Sequence, residues 1–194
     1  MNRLTRDLFI ERTQGLLVQR GGFDVSLSTV LNACGASKGS LYHFFPSGKD
    51  ELLIAAMEKQ SECAVSSNRS ILSESKSTGQ AVARLAKSLV SMLESDNCPD
   101  FMPFSAAGAV TGQASEQLRE ICAKALNSLQ TLYFQSLRSE GVPTRLAKSL
   151  SSLVVSTIEG ALLHSRTQES TLPLKNAGIH LRELIDSHTV DHEG

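Results

Sequence analysis

The sequence predicts an all-α protein with a three-helix N-terminal head, which contains a helix-turn-helix, and a larger C-terminal helical body. Apolar residues recur with helical period along the chain, and no segment keeps the alternation of a strand. Aromatic residues make up only 5% of the 194 residues and Trp is absent, which suits a helical core of Leu, Ala and Val. Gly and Pro end the periodic segments at intervals, so the helices are separate and of ordinary length.

The first predicted helix runs from Thr5 to about Arg20. The Thr5 hydroxyl can accept a hydrogen bond from a free N–H group of the first turn, and Gly21 and Gly22 end the helix. The side chains expected to face the core are Leu8, Phe9, Leu16 and Leu17.

The second and third predicted helices are joined by a tight turn and form the helix-turn-helix. Ser26 can cap the second helix, and Gly35 can adopt the positive φ that closes it. Ser37 can cap the third helix, and Pro46 ends it because the residue before a proline is pushed out of the α region. The apolar positions are Leu27, Val30, Leu31 and Cys34 in the second helix and Leu41, Phe44 and Phe45 in the third.

The third helix presents a polar face when its apolar residues turn inward. That face carries Lys38, Gly39, Ser40, Tyr42 and His43. Residues 26–48 contain no Asp or Glu, and residues 1–49 have a net charge of +3 because six Lys and Arg stand against three Asp and Glu. The remaining residues carry −4, so the positive charge coincides with the motif. Such a helix can enter a major groove with its N-terminal end toward the DNA; the alternative is an ordinary helical hairpin with a solvated face.

Residues 33–57, ACGASKGSLYHFFPSGKDELLIAAM, resemble the DNA-binding segment of the tetracycline-repressor (TetR) family. The resemblance is carried by Gly35, by the run Ser37–Phe45 and by Lys49–Leu52 at the start of the next helix. Gly48 makes the turn before that helix one residue longer than is usual in the family. The resemblance implies that the first helix packs across the helix-turn-helix and that the partner is double-stranded DNA.

The head is therefore predicted to contact DNA through residues of the motif and its flanks. These residues are Ser26, Ser37, Lys38, Gly39, Ser40, Tyr42, His43 and Lys49. The side chains of the third helix would reach the groove and the phosphates, and Gly39 permits close approach. Ser26, Ser37 and Lys49 would support them on the DNA backbone.

Residues 1–49 are predicted to be the DNA-binding domain, and residues 50–194 a helical ligand-binding and dimerisation domain. A connector helix begins near Lys49 and passes Cys63, and the polar stretch from Ser66 to Thr78 is expected to be the boundary after it. Further helices are predicted up to Asp96, from Glu116 to Gly141, from Thr144 to about Arg166 and from Leu174 to about His188.

A ligand pocket is predicted around the segment in which the helical pattern is interrupted. Irregular helices leave voids, and Met and Phe side chains line adaptable apolar sites. The candidate ligand-binding residues are Met92, Phe101, Met102, Phe104, Tyr133 and Phe134. The alternative is that these residues are simply core. The TetR resemblance implies an inducer site in this middle region, and hence a small apolar inducer as a second partner.

The last two predicted helices carry broad apolar stripes and small residues that permit close packing, namely Ser149, Ser152, Ser156, Gly160 and Ala161. Such a helix pair can build a four-helix bundle with its copy about a two-fold axis, or both helices can be buried within one subunit. The TetR resemblance favours a homodimer through these two helices, whose two heads would recognise a palindromic operator.

Several other classes of protein are disfavoured. Cys34, Cys63, Cys98 and Cys122 show neither metal-ligand nor disulfide-scaffold spacing, and no metal or cofactor is predicted. Residues 35–39 match the G-x-S-x-G of a hydrolase nucleophile elbow, but the residues before them have helical period, so no enzyme is predicted. The N-terminal residues do not form a signal peptide, and the charge-free run 101–115 is too short to span a bilayer. We expect no membrane partner and a cytoplasmic location.

The predicted function is that of a homodimeric, ligand-responsive transcriptional repressor, which a small apolar inducer releases from a palindromic operator. Two alternatives stay open: a dimeric DNA-binding regulator without an inducer, and a helical protein–protein adaptor. A steep salt dependence of DNA affinity separates the two regulators from the adaptor. Thermal stabilisation by a ligand separates the two regulators from each other.

Overall fold

A computed structural model of the protein describes residues 4–19, 26–95, 103–108 and 115–189. Those residues form helices and turns and contain no strand, which confirms the all-α prediction. The helices are α1 (Arg6–Gln19), α2 (Leu27–Cys34), α3 (Lys38–Phe44), α4 (Lys49–Ser73), α5 (Thr78–Leu93), α6 (Phe104–Gly108), α7 (Ser115–Ser139), α8 (Thr144–Thr167) and α9 (Leu172–Asp186).

Contacts divide the chain into two compact units. Unit 1 comprises Met1–Cys63 and Pro99–Lys124, and unit 2 comprises Ala64–Cys98 and Ala125–Gly194. The chain passes from one unit to the other at three positions, and two of these fall inside a helix, one within α4 and the other within α7. The functional division at residue 49, into a DNA-binding domain and a ligand-binding and dimerisation domain, stays a prediction.

Capping residues mark the starts of α1 and α2 and the end of α2. Thr5 Oγ1 accepts a hydrogen bond from the Leu8 N–H at 3.2 Å, and Ser26 Oγ accepts one from the Thr29 N–H at 3.1 Å. Gly35 ends α2 with a φ of +60°, in the left-handed region that glycine adopts without a Cβ penalty. The local sequence therefore determines where α1 and α2 start and where α2 ends.

In the core of unit 1, aromatic side chains hold α1 against α3. Phe9, Leu41 and Phe45 are fully buried. The ring of Phe9 meets the edge of the Phe45 ring with centroids 6.0 Å apart, a favourable arrangement for two aromatic rings. Because α1 also packs on α2, the first helix fixes both helices of the motif.

The polar stretch that follows Ser66 is helical as far as Ser73, so the connector helix is longer than the sequence predicted, and the domain boundary expected at Ser66–Thr78 stays a prediction. Helix α4 continues to Ser73. Asn68 explains this continuation, because it is 7% exposed and its Oδ1 accepts a hydrogen bond from Tyr133 Oη at 2.5 Å. Its Nδ2 donates to the Ala64 carbonyl at 2.9 Å, so both the oxygen and the nitrogen of the buried Asn68 amide have a hydrogen-bond partner.

Unit 2 is built around α9, which packs against both α5 and α8. Ser77 caps α5 by accepting a hydrogen bond from the Gln80 N–H at 3.1 Å. By length and composition alone, α8 could cross a bilayer. The apolar composition of α8 has another explanation, because its inward face is buried in the core of unit 2. The buried apolar residues of α8 are Ala147, Leu150, Val154, Val155, Ile158 and Leu162.

Gly178→Ala is expected to lower the free energy of unfolding by about 1–3 kcal/mol, the usual effect of an extra methyl group in a close-packed core. A Cβ at Gly178 would lie 2.6 Å from the Ala86 Cβ, so α9 would have to move away from α5. Urea unfolding at one fixed protein concentration, followed by circular dichroism, measures the loss.

The double variant Gly178→Ala/Ala86→Gly is the control for this prediction. Ala86→Gly removes the methyl group that the new Cβ would meet, so the double variant should lose less stability than the sum of the two single variants. Strict additivity, or an unchanged stability of Gly178→Ala, would show that the two helices are not packed this closely.

Candidate nucleic-acid interface

The inward side of α3 anchors the helix. Leu41 and the C-cap residue Phe45 are fully buried, and the guanidinium carbon of Arg6 lies 5.1 Å from the centre of the Phe45 ring. A guanidinium over an aromatic face at this distance is a cation–π contact. This contact holds the positive charge of Arg6 in α1 beside the end of α3. The sequence pattern did not predict the contact.

The outward side of α3 carries the predicted DNA-binding residues. Lys38, Gly39, Tyr42 and His43 are exposed, whereas Ser40 is half-buried. The Tyr42 side chain is 49% exposed, which is high for an aromatic residue of a helix. The structure therefore brings the residues of α3 together on one surface, which we name the α3 face: Lys38, Gly39, Ser40, Tyr42 and His43.

The α3 face has a positive charge and several hydrogen-bond donors. Among the residues that the structure describes, no ion pair engages Lys38 or Lys49, so both ammonium groups are available to an anion. The His43 ring is oriented by Phe44, with an edge contact at 4.9 Å between ring centroids. Such a set of groups can donate to phosphate oxygens and to base edges.

The two serine caps lie at the N-termini of the motif helices. Ser37 Oγ accepts a hydrogen bond from the Ser40 N–H at 3.2 Å and lies 3.0 Å from Ser40 Oγ. Ser26 Oγ lies 2.8 Å from Thr29 Oγ1, in addition to its bond with the Thr29 N–H. Both serines are exposed, so their hydroxyls and the positive ends of the two helix dipoles face solvent. Helix N-termini of this kind favour phosphate groups.

The turn between α3 and α4 positions Lys49 at the start of α4, where it is half-buried. The Ser47 N–H donates to Glu51 Oε2 at 2.9 Å, and the Gly48 N–H donates to the Phe45 carbonyl at 2.8 Å. These bonds give the turn between α3 and α4 a defined conformation.

Cys34 lies at the last position of α2. Its thiol is part-buried, and this burial raises the pKa of Cys34 above its usual value, although Arg12 opposes the shift. The thiol therefore stays protonated at neutral pH and acts as a small apolar group of the motif.

The predicted ligand-binding residues are distributed over both units. Phe104 is buried in unit 1, and Tyr133 is buried in unit 2, where Met92 and Phe134 are half-buried. Burial raises the pKa of the Tyr133 hydroxyl, which donates to Asn68 and is thus neutral. Phe101 and Met102 lie outside the described residues. The role of these six residues in ligand binding stays a prediction.

A surface groove of about 480 Å³ runs between α8 and α9. Its lining includes Ser156, Gly160, Ala161, His164, Asn176 and Leu184, and none of the predicted ligand-binding residues. Apolar side chains that are 37–60% exposed lie on the same two helices: Leu153, Leu163, Leu172, Ile179 and Leu184. Sequence reasoning had identified the apolar stripes of these helices but not which of their residues remain uncovered.

Two family models match the chain, one on each side of residue 70. Residues 6–56 match the bacterial regulatory proteins of the tetR family, and residues 78–180 match the C-terminal domain of the LmrA/YxaF-like transcriptional regulators. The chain belongs to the TetR family. It is therefore a DNA-binding transcriptional regulator with an N-terminal helix-turn-helix.

Two relatives from Bacillus subtilis (strain 168) are similar over most of their length. The HTH-type transcriptional regulator YxaF is 28% identical over 170 residues, which cover 88% of this TetR-family chain and 89% of YxaF. The HTH-type transcriptional regulator LmrA is 26% identical over 181 residues, which cover 93% of this chain and 96% of LmrA.

Solved TetR-family structures share the fold at lower identity. A regulator from Chloroflexus aurantiacus J-10-FL has a TM-score of 0.80 and 21% identity, with 94% of each chain covered. CifR in complex with 26-bp operator DNA has a TM-score of 0.79 and 18% identity, with 94% of this chain and 98% of CifR covered. FadR from Bacillus subtilis in complex with stearoyl-CoA has a TM-score of 0.66 and 16% identity, with 95% of this chain and 99% of FadR covered.

Proposed function

We propose that this TetR-family regulator is a cytoplasmic, homodimeric repressor that binds a palindromic operator and is released by a small apolar inducer. The observation that carries the proposal is the α3 face, where Lys38, Tyr42 and His43 are exposed beside a buried anchor of Leu41 and Phe45. Residues with large polar or aromatic side chains are held outward on a rigid helix, as groove binding requires.

The proposed contacts divide between bases and DNA backbone. Tyr42, His43 and Ser40 would face base edges and phosphates in the major groove, with Gly39 at the closest approach, and Lys38 would neutralise a phosphate. The flanking groups of Ser26, Ser37 and Lys49 would bind phosphates and set the register of the motif. CifR, which shares the fold, is complexed with operator DNA, and this supports the proposal.

The exposed surface of α8 and α9 supports the homodimer. A monomer rarely leaves large apolar side chains uncovered in a cluster, and here they occupy both helices of one packed pair. The small residues Ser156 and Gly160 line the groove between the two helices, where a partner's side chain can enter. Two copies of the pair would form a four-helix bundle, and their two-fold axis would match that of a palindrome.

The proposed inducer is a small apolar molecule. This part of the proposal is supported by FadR, a protein of the same fold that is complexed with stearoyl-CoA, and by the apolar residues Met92, Phe104, Tyr133 and Phe134. An inducer of this kind acts by population shift, since it must bind the conformation with low DNA affinity more tightly than the other.

A gel-shift titration of the purified protein against DNA from around its own gene, at two salt concentrations, tests the function. We expect a competitor-resistant complex whose affinity falls steeply with salt, because bound phosphates release counterions. Apolar compounds that raise the thermal midpoint should also dissociate this complex. Specific binding without any such compound would favour the regulator that lacks an inducer, and DNA binding that is weak and independent of sequence would favour the adaptor.

A further inference from the structure

Gly48 lies against the hydroxyl end of the Tyr42 ring, which belongs to the α3 face. A Cβ built on Gly48 would lie 3.1 Å from Tyr42 Cε1 and 3.6 Å from both Cζ and Oη. The first distance is shorter than an ordinary van der Waals contact, so a side chain at Gly48 would require the Tyr42 ring to shift by a few tenths of an ångström. Gly48 is buried, whereas Tyr42 is 49% exposed.

The backbone of Gly48 is held in place from both directions along the chain. Its N–H donates to the Phe45 carbonyl at 2.8 Å, and its own carbonyl accepts from the Leu52 N–H at 3.3 Å. Glu51 Oε2 binds the N–H of the preceding residue, Ser47. With the turn fixed and the ring half-exposed, a side chain at Gly48 would displace the ring and not the turn.

The turn also uses a conformation that favours glycine. The φ of Gly48 is +78°, in the left-handed region that most residues avoid. Gly48 thus supplies both the reversal of the chain and a close approach of the backbone to the aromatic ring.

We propose that Gly48 is a positioning residue that sets the direction of the Tyr42 ring and hydroxyl on the DNA-binding face. The inference rests on the proposed DNA-binding function. Hydrogen bonds to bases and phosphates weaken steeply as distance and angle depart from ideal values, so a small displacement of the hydroxyl matters to affinity. Gly48 itself contributes nothing to DNA except through the ring that it supports.

The test compares Gly48→Asn with Gly35→Asn. Asn adopts positive φ more readily than other residues that have a side chain, so both turns can form. Gly35 has a φ of +60°, and nothing lies within 4 Å of a Cβ added to it. Gly35→Asn therefore introduces the same kind of backbone strain as Gly48→Asn but no contact with the Tyr42 ring. Both variants are first compared with the wild type by circular dichroism and thermal unfolding.

Fluorine NMR of protein labelled with 3-fluorotyrosine measures the ring directly. The chain has two tyrosines, so two signals are expected, and Tyr42→Phe identifies the one from Tyr42. Gly48→Asn should shift the Tyr42 signal and leave that of Tyr133 unchanged, and Gly35→Asn should move neither. An unmoved Tyr42 signal in Gly48→Asn overturns the inference without touching the proposed function.

DNA affinity gives the second readout. Gly48→Asn is expected to weaken binding at least tenfold to the DNA that the wild type binds, and Gly35→Asn less than threefold. A shifted Tyr42 signal with unchanged DNA affinity overturns the positioning role. Absence of specific binding by the wild type overturns the proposed function and the inference with it, and the NMR result then shows whether the ring contact exists.

Discussion

Tyr42→Ala is expected to lower the affinity of the dimer for its DNA site roughly 100-fold, or about 2.7 kcal/mol. Tyr42 has its ring on Gly48 and half of its side-chain surface in solvent, so it contributes little to the core and is available to DNA. A hydrogen bond contributes about 0.5–1.5 kcal/mol net, and the proposed dimer would lose the contact twice, which gives about 1–3 kcal/mol. Gel shift or fluorescence anisotropy at one fixed salt concentration measures the loss.

Lys38→Ala extends the first prediction to the phosphate contact. Removing an ammonium group should reduce the salt dependence of binding, with a loss of about one in the slope of log K against log salt for each head. Lys87→Ala is the charge-matched control, because Lys87 is an exposed residue of α5 outside the α3 face. Tyr42→Phe is the control for the ring, since it keeps the aromatic surface and removes only the hydroxyl.

Two results would contradict a specific contact between the α3 face and DNA. If Tyr42→Ala and Lys38→Ala bind the wild-type site with unchanged affinity and unchanged salt dependence, the α3 face does not contact DNA. If Lys87→Ala weakens binding as much as Lys38→Ala, the effect comes from net charge and not from a specific contact.

If the proposed homodimer forms through α8 and α9, the double variant Leu163→Glu/Ile179→Glu is expected to be a folded monomer. Leu163 is 44% exposed and Ile179 is 52% exposed in the subunit, so carboxylates at these positions can remain hydrated when the chain is alone. In a dimer they would be buried without partners, at a cost of several kcal/mol for each charge. Size-exclusion chromatography with light scattering measures the mass.

Loss of the dimer should also abolish tight DNA binding. Two heads on one particle bind the second half-site as an intramolecular event, so the monomer is expected to lose at least 100-fold in affinity for a palindrome. Gln135→Glu is the control for added negative charge, since Gln135 is exposed on α7 and not on α8 or α9. A double variant that remains dimeric would place the dimer contact on another surface, and a monomer with wild-type affinity would show that dimerisation is not needed for DNA binding.

Local signals predicted the motif well because they act within a few residues. The caps at Ser26 and Ser37 and the left-handed Gly35 depend on hydrogen bonds and φ values inside the motif. A single sequence contains those interactions in full, so the limits of α2 and α3 could be predicted before any tertiary contact was known.

Contacts between distant residues explain what the sequence did not predict. The helix through Ser66–Ser73 depends on Asn68 and on Tyr133, which lies 65 residues further along the chain. A serine-rich segment is typical of a connection when it is considered alone, and the buried hydrogen bond overrides that local preference. Likewise, Gly48 was predicted only as an added residue, and its role as a support for Tyr42 follows from a distance that no pattern contains.

The sequence also did not predict which apolar residues of α8 and α9 are exposed. Helical periodicity identified apolar stripes, but both a buried core face and an interface face are apolar. The exposed fractions in the folded subunit separate the core face from the interface face, because Leu162 is 2% exposed and its neighbour Leu163 is 44% exposed.

Selection of binding sites from a pool of random double-stranded DNA by the full-length protein tests the central proposal most directly, because the operator sequence does not have to be known. A homodimer that binds DNA through the α3 faces should enrich sequences with an inverted repeat, whose half-sites are centred about 34–36 Å apart or at a multiple of that distance. The protein with Tyr42→Ala should enrich no such repeat. Enrichment of sites without two-fold symmetry, or no enrichment by the wild-type protein, would contradict a dimeric repressor that recognises a palindrome.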